Sequence, residues 1–230
     1  MRYQWIVFDA DDTLFDFGKA EQHAVGRLLT SHNVADNDTH QRLYRGINKH
    51  LWQELERGAI APGELKVTRI QRFFDEMGIT ADPAEWADHF LDFLAEGSHL
   101  LEGAESVVTR LATHAQLGIL TNGLTRVQRS RLERSGLAEH IAVLTISEEV
   151  GASKPAAAIF VAMEQAMQSP EKSRVLMVGD RYETDIIGAR RFGWDTAWLS
   201  PELPEDLEPP TFHLTDIRLL PGLLLEDRPG

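Results

Sequence analysis

Apolar and polar positions follow two regimes along the chain. Short apolar runs at residues 5–8, 117–120, 142–146, 175–178 and 196–199 show little alternation. Such runs are expected of parallel strands buried on both faces. Between them, Val107 and Leu111 form one helical stripe, and Ile159, Met163 and Met167 form another, with Pro155 suited to the latter's first turn. Strand–helix alternation of this kind predicts an α/β fold with a doubly wound parallel sheet. Residues 16–97 read differently. Leu43, Ile47, Leu51 and Leu55 recur every four residues, Val67, Ile70, Phe74 and Met77 follow a second stripe, and Trp86, Phe90 and Phe93 a third. Pro62-Gly63, Gly78 and Pro83 punctuate them, so this block is expected to be an all-helical insertion after the first strand. The closing segment, "TFHLTDIRLL", reads as an edge strand and a final helix.

Composition narrows the function classes. The 230 residues carry a formal charge of −13, which argues against a nucleic-acid partner, since phosphate-backbone binding needs a basic face. There is no cysteine, which excludes disulfides, a thiolate nucleophile and a zinc–thiolate site. No basic segment followed by a long apolar stretch is visible, and no apolar run is long enough for a membrane span. The expected location is therefore the cytoplasm, with no membrane partner. Asn37-Asp38-Thr39 matches a glycosylation sequon that is expected to be inert there.

Chemistry concentrates where the apolar runs end. In "WIVFDADDTLF", Asp9 and Asp11 stand two apart, which in extended backbone points both side chains to one side. Two carboxylates about 4 Å apart disfavour each other by roughly 4 kcal/mol at an effective dielectric near 20, so the pattern asks for a counter-charge. In "GILTNG", Thr121, Asn122 and Gly123 follow a second buried run and offer a hydroxyl and backbone N–H groups to an anionic oxygen. In "GASKPAA", Lys154 supplies a positive charge ahead of a helix. In "VLMVGDRYETDIIGA", Asp180 ends a run and Asp185 follows, converging only if the first belongs to a strand end and the second to a loop or the next helix's first turn. Singly, each has a bland reading as a cap, an acidic turn or a surface lysine. Together they place two carboxylates, a hydroxyl, a lysine and two more carboxylates at successive strand ends, where ligands gather in such sheets.

This ordered set resembles the haloacid dehalogenase superfamily of aspartate-nucleophile phosphohydrolases. The resemblance implies a Rossmann-like core, residues 1–15 and 98–230, with residues 16–97 as a helical cap that sets specificity. It implies Mg²⁺, or Mn²⁺ in its place, held by Asp9, Asp180, Asp185 and the backbone carbonyl of Asp11. Asp9 is then the nucleophile, Asp11 the general acid and base, and Thr121 and Lys154 bind the transferring phosphoryl oxygens with Asn122 and Gly123. Within the superfamily, "DADDTLFDF", "INKHLWQELERGAI", "RLERSGL" and "ISEEVGASKP" look most like the bacterial pyrimidine nucleotidases. That implies a small phosphate ester as partner: a nucleoside monophosphate such as UMP, dUMP or dTMP. Asn48, Lys49, Trp52 and Arg69 are the candidates for contact with the base or sugar; oligomeric state is not legible.

Two positions depart from the superfamily's pattern: Asp12 stands where glycine is common, and Arg181 where a small hydroxyl residue is commoner. Rival chemistries on the same scaffold are weighed by residue. A dehalogenase needs no metal, so Asp11, Asp180 and Asp185 argue against it. A phosphonatase needs a cap lysine, for which Lys19, Lys49 and Lys66 are available. A sugar-phosphate phosphatase shares every core residue, and a non-catalytic nucleotide-binding regulator has no use for the full set.

Overall fold

The apolar runs become strands in the computed structural model, which describes residues 1–225. They are β1 (Trp5–Phe8), β2 (Gln116–Thr121), β3 (Val143–Ile146), β4 (Val175–Gly179), β5 (Asp195–Leu199) and β6 (Phe212–Leu214). All pair in parallel, in the order β3-β2-β1-β4-β5-β6. The chain winds outward from β1 to β3 in one direction and from β4 to β6 in the other. The sheet reverses beside β1, and ligands bind at such switch points beyond the carboxyl ends of the strands.

Residue alternation explains why both faces of β1 are apolar. Ile6 and Phe8 join one buried cluster with Val107, Val108 and Leu111 of α5 (Ala104–Ala112) and Leu220 of α10 (Leu220–Leu225). Trp5 and Val7 join another with Ile159, Phe160 and Met163 of α8 (Ala157–Ala166) and Ala189 of α9 (Gly188–Phe192). Successive side chains on a strand point to opposite faces, so a strand covered by helices on both sides must be apolar throughout. The segment 212–225 forms the edge strand β6, a 3₁₀ turn over Ile217–Leu219 and α10. Pro155 corrects the sequence expectation: it lies two residues before α8, after a cis Lys154–Pro155 peptide, and not in the helix.

The chain divides into two compact units, Met1–Phe17 with the residues from Ser98 onward, and Gly18–Gly97. The second contains nearly all of α1 (Phe17–Ser31), and α2 (Asp38–Glu56), α3 (Pro62–Met77) and α4 (Pro83–Glu96). Their ends follow capping chemistry. Asn37 accepts hydrogen bonds from the N–H groups of Thr39 and His40, Asp82 accepts from Ala84, and Gly78 closes α3 at φ 64°. The sequon asparagine is thus a helix cap. The buried faces differ from the expected stripes in α2 and α3. Gln41, Tyr44, Asn48 and Leu51 are buried in α2 while Leu43, Ile47 and Leu55 are only partly so, and in α3 Val67 is exposed. A strict four-residue repeat drifts by about 40° per step around a helix of 3.6 residues per turn, so it cannot stay on one buried face. Among the described residues no helix is long and apolar enough to cross a membrane.

Candidate active site

Register brings the strand ends level. Phe8 pairs with Ile119 of β2 and with Val178 of β4. Asp9 is next in the chain, and its N–H donates to the Val178 carbonyl at 2.8 Å, extending the ladder by one residue. Asp180 follows Gly179 directly. Asp185 lies in a π-helical stretch, Tyr182–Ile187, an uncommon geometry often found at functional sites. Its N–H donates to the Arg181 carbonyl at 2.9 Å while its Oδ2 accepts the Arg181 N–H at 3.0 Å. Gly179 makes room for this fold-back: a Cβ there would come within 2.3 Å of Asp185 Oδ2.

Asp9, Asp180 and Asp185 each present an oxygen, and the three lie within 4.8 Å of one another. Lys154 Nζ donates to Asp9 Oδ1 at 2.5 Å and to the Leu120 carbonyl at 2.8 Å, and pairs with Asp185 Oδ1 at 2.8 Å. Thr13 donates to Asp180 Oδ1 at 3.4 Å, and the Trp198 indole N–H donates to the Asp180 carbonyl at 2.8 Å. Burial pushes the Asp180 carboxyl up to about 7, with Asp185 adding to the effect. Burial likewise raises Asp9 well above the usual carboxylate range, with Lys154 opposing and Asp185 and Asp180 reinforcing the rise. Burial alone would lower the Lys154 pKa, but the carboxylates of Asp185 and Asp9 outweigh it and hold the ammonium charged. One ammonium therefore faces three carboxylates, and the excess negative charge adds to burial in raising Asp9 and Asp180. A hard divalent cation with oxygen preference, such as Mg²⁺, fits this donor set.

The structure redistributes some of the expected roles. Thr121 is the last residue of β2 and is buried, and its hydroxyl accepts the Gly123 N–H at 3.0 Å. Gly123 therefore does not present a free N–H to an anion. Asn122 is also engaged elsewhere: its amide donates to the Lys154 carbonyl at 2.9 Å and accepts the Lys154 N–H at 2.7 Å. These two bonds tie Asn122 to the lysine loop. Asp11's carboxylate stands apart from the three-carboxylate group, held by Gln128 at 2.8 Å and by Arg131. Asp12 sits at φ 60°, the left-handed conformation that explains glycine at this position, and its Oδ1 accepts the Phe17 N–H at 3.3 Å. The Arg181 side chain is exposed.

In the helical unit, Asn48 is buried and donates to Glu21 Oε1 at 2.8 Å. Arg69 is buried with its guanidinium 5.0 Å from the Phe90 ring centroid, and its Nε and Nη2 have no hydrogen-bond partner among the described residues. Trp52 is half-buried and Lys49 exposed. The sequence reading missed Gln128, Arg131, Thr13 and Trp198. Gln128 and Arg131 stand three apart on α6 (Thr125–Arg134), which places them on one face, and that spacing just after "TNG" was a usable signal.

Comparison with known proteins agrees with this geometry. The model of the haloacid dehalogenase-like hydrolases matches residues 3–193. The chain is 37% identical to pyrimidine 5'-nucleotidase YjjG of Escherichia coli, over 97% of this chain and 99% of that one. It is 35% identical to pyrimidine 5'-nucleotidase PynA of Streptococcus pneumoniae, over 87% and 85%. Among solved structures it is similar to the putative hydrolase YfnB of Bacillus subtilis bound to magnesium, with a TM-score of 0.89, 30% identity and coverage of 97% and 99%. Matched by the family model over residues 3–193 and by a relative along nearly its whole length, this chain belongs to the haloacid dehalogenase-like hydrolase family.

Proposed function

We propose that this protein is a phosphomonoester hydrolase that forms an aspartyl-phosphate on Asp9 and acts on pyrimidine nucleoside 5'-monophosphates such as UMP, dUMP and dTMP. The observation that carries the chemistry is the convergence of Asp9, Asp180 and Asp185 around Lys154. The substrate class is supported by the two pyrimidine 5'-nucleotidases to which the chain is similar over most of its length.

Asp9, Asp180 and Asp185, with the Asp11 backbone carbonyl, would hold Mg²⁺, which when bound neutralises the carboxylates and lets a dianionic ester approach them. An Asp9 carboxylate oxygen attacks phosphorus in line. The bond from phosphorus to the ester oxygen breaks, and Asp11 delivers a proton to the departing oxygen. Water then attacks the phosphorus of the aspartyl-phosphate and gives a proton to Asp11. The bond to Asp9 breaks, releasing inorganic phosphate and restoring both carboxyl groups. Lys154 restrains Asp9 and, with the Thr121 hydroxyl, binds the transferring oxygens. Much of the acceleration in phosphoryl transfer comes from placement and fixed charge, which buried, hydrogen-bonded groups supply. Selectivity for the organic part of the ester is assigned to the helical unit, with Asn48, Lys49, Trp52 and Arg69 as its candidate contacts.

The test is phosphate release from a panel of nucleoside and sugar monophosphates, with and without Mg²⁺, by the native chain and by Asp9→Asn. The expected result is Mg²⁺-dependent release, fastest from pyrimidine nucleotides, and none above background from the variant. A panel led by sugar phosphates would overturn the substrate class, and turnover by Asp9→Asn would overturn the nucleophile.

A further inference from the structure

We infer that Gln128 and Arg131 are positioning residues for Asp11, aiming its carboxylate over the turn that follows β2; this rests on the role given to Asp11 above. The two carboxylate oxygens are held separately. Gln128 Nε2 donates to Oδ2 at 2.8 Å, and Arg131 Nη1 donates to Oδ1. Both donors come from one face of α6, more than a hundred residues away in sequence (separations of 117 and 120). Neither is a casual surface contact. Gln128 is buried and the Arg131 side chain is 0% exposed, while that of Asp11 keeps 29% exposure. The clamp thus leaves the carboxylate open to a reactant.

Two features fix the donors themselves. The Arg131 guanidinium lies 4.7 Å from the Phe15 ring centroid, and Phe15 belongs to the same loop as Asp11, bridged to it through the backbone. Gly123 gives Gln128 its place, since a Cβ on that glycine would come within 2.3 Å of Gln128 Nε2. Burying an arginine is costly unless it is paired and hydrogen-bonded, and one donor on each carboxylate oxygen fixes the group's direction better than a single contact does. The arrangement commits Asp11 to the Thr121 side of the nucleophile. The opposite side, at the end of β4, is left to the Asp180 and Asp185 carboxylates.

A general acid matters most when the departing oxygen is strongly basic, so the clamp is read through leaving-group dependence. The experiment measures kcat/KM, which stops at the first irreversible step, for a nucleoside monophosphate and for 2,4-dinitrophenyl phosphate. The variants are Arg131→Met, Arg131→Lys, Gln128→Leu, Gly123→Ala and Asp11→Asn, with Arg131→Met and Gln128→Leu also placed in the Asp11→Asn background. Arg131→Met and Gln128→Leu should lose at least about tenfold more on the nucleotide than on the aryl ester, a modest share of what general acid catalysis supplies. Arg131→Lys should recover part of the loss, Gly123→Ala should behave like Gln128→Leu, and neither clamp substitution should change the ratio once Asp11 is asparagine. Equal losses on both esters, or the same loss without Asp11, would overturn the clamp and leave a purely structural role. Should Arg131→Met fail to fold, the Gln128 and Gly123 variants decide by the same ratio. If Asp11→Asn itself loses equally on both esters, the role of Asp11 falls and the clamp with it. If only the clamp variants do so, the role of Asp11 stands and the clamp alone is overturned.

Discussion

Asp9 and Asp185 lean on the same ammonium, at 2.5 and 2.8 Å, so replacing Lys154 with methionine removes a group assigned to phosphoryl binding and strands two buried carboxylates. Breaking a buried ion pair from one side typically costs about 3–5 kcal/mol. Lys154→Met is expected to lose turnover and to melt at lower temperature in chelator, with Mg²⁺ restoring part of the stability; equal melting of variant and native protein would contradict the pairing. Asp180 gives a pH signature. Its folded carboxyl, pushed up to about 7 from 3.8, keeps a proton that the unfolded chain has already released. Its contribution to stability in the metal-free protein is therefore full below pH 3.8 and lost as pH rises through about 7. Bound Mg²⁺ would take the place of that proton, so the rise in Tm on adding Mg²⁺ should be larger at pH 7.5 than at pH 5.5. In Asp180→Asn, the pH dependence of that rise should shrink. Asp9 and Asp180 were legible in the sequence because each ends an apolar run, and Asp185 because it follows one of them closely. For Arg131 and Gln128 the shared helix face was legible from their spacing, but their partner was not, because it lies more than a hundred residues back in the chain.

At the scale of elements, the active site depends on how three strands end. Sequence reading located β1, β2 and β4 to within a residue because an unbroken apolar run is stable only where both faces are buried. It required Asp180 and Asp185 to sit on different kinds of backbone, and the structure supplies a strand end followed by a π-helical stretch. That geometry is not legible from local pattern, since it depends on the approach of Asp185 to Gly179. Gly179→Ala tests it. The added methyl would meet Asp185 Oδ2 at 2.3 Å, so the carboxylate must shift. The expected outcome is weaker Mg²⁺ binding, measured by calorimetry, with the circular dichroism spectrum retained; unchanged affinity would show that Asp185 tolerates the methyl. In the helical unit the misread faces of α2 and α3 have a related origin. Asn48 is buried because Glu21, on another helix, accepts its amide proton, and a polar residue satisfied by a distant partner defeats a hydrophobic count.

The whole molecule joins a parallel sheet to a helical insertion whose two junctions are pinned together within the sheet-bearing unit. Asp16 N–H donates to the His99 carbonyl at 2.9 Å, Leu101 N–H donates to the Leu14 carbonyl at 2.9 Å, and Phe15 bridges Leu100. The insertion's ends are thus fixed by the core's own backbone, independently of what lies between Gly18 and Gly97. The groups assigned to phosphoryl transfer, Asp9, Asp11, Thr121, Lys154, Asp180 and Asp185, all belong to the sheet-bearing unit. Chemistry and selectivity should therefore separate. Replacing residues 18–97 with the corresponding segment of a family member of different preference should preserve Mg²⁺-dependent hydrolysis of an aryl phosphate within about two orders of magnitude, because differential contacts to the organic group are worth only about 1–3 kcal/mol. The ranking of nucleotides against sugar phosphates should follow the donor of the segment. A chimera that folds and hydrolyses the aryl ester but keeps the original ranking would place selectivity in the strand-end loops. Asn48, Lys49, Trp52 and Arg69 would then be left as structural residues.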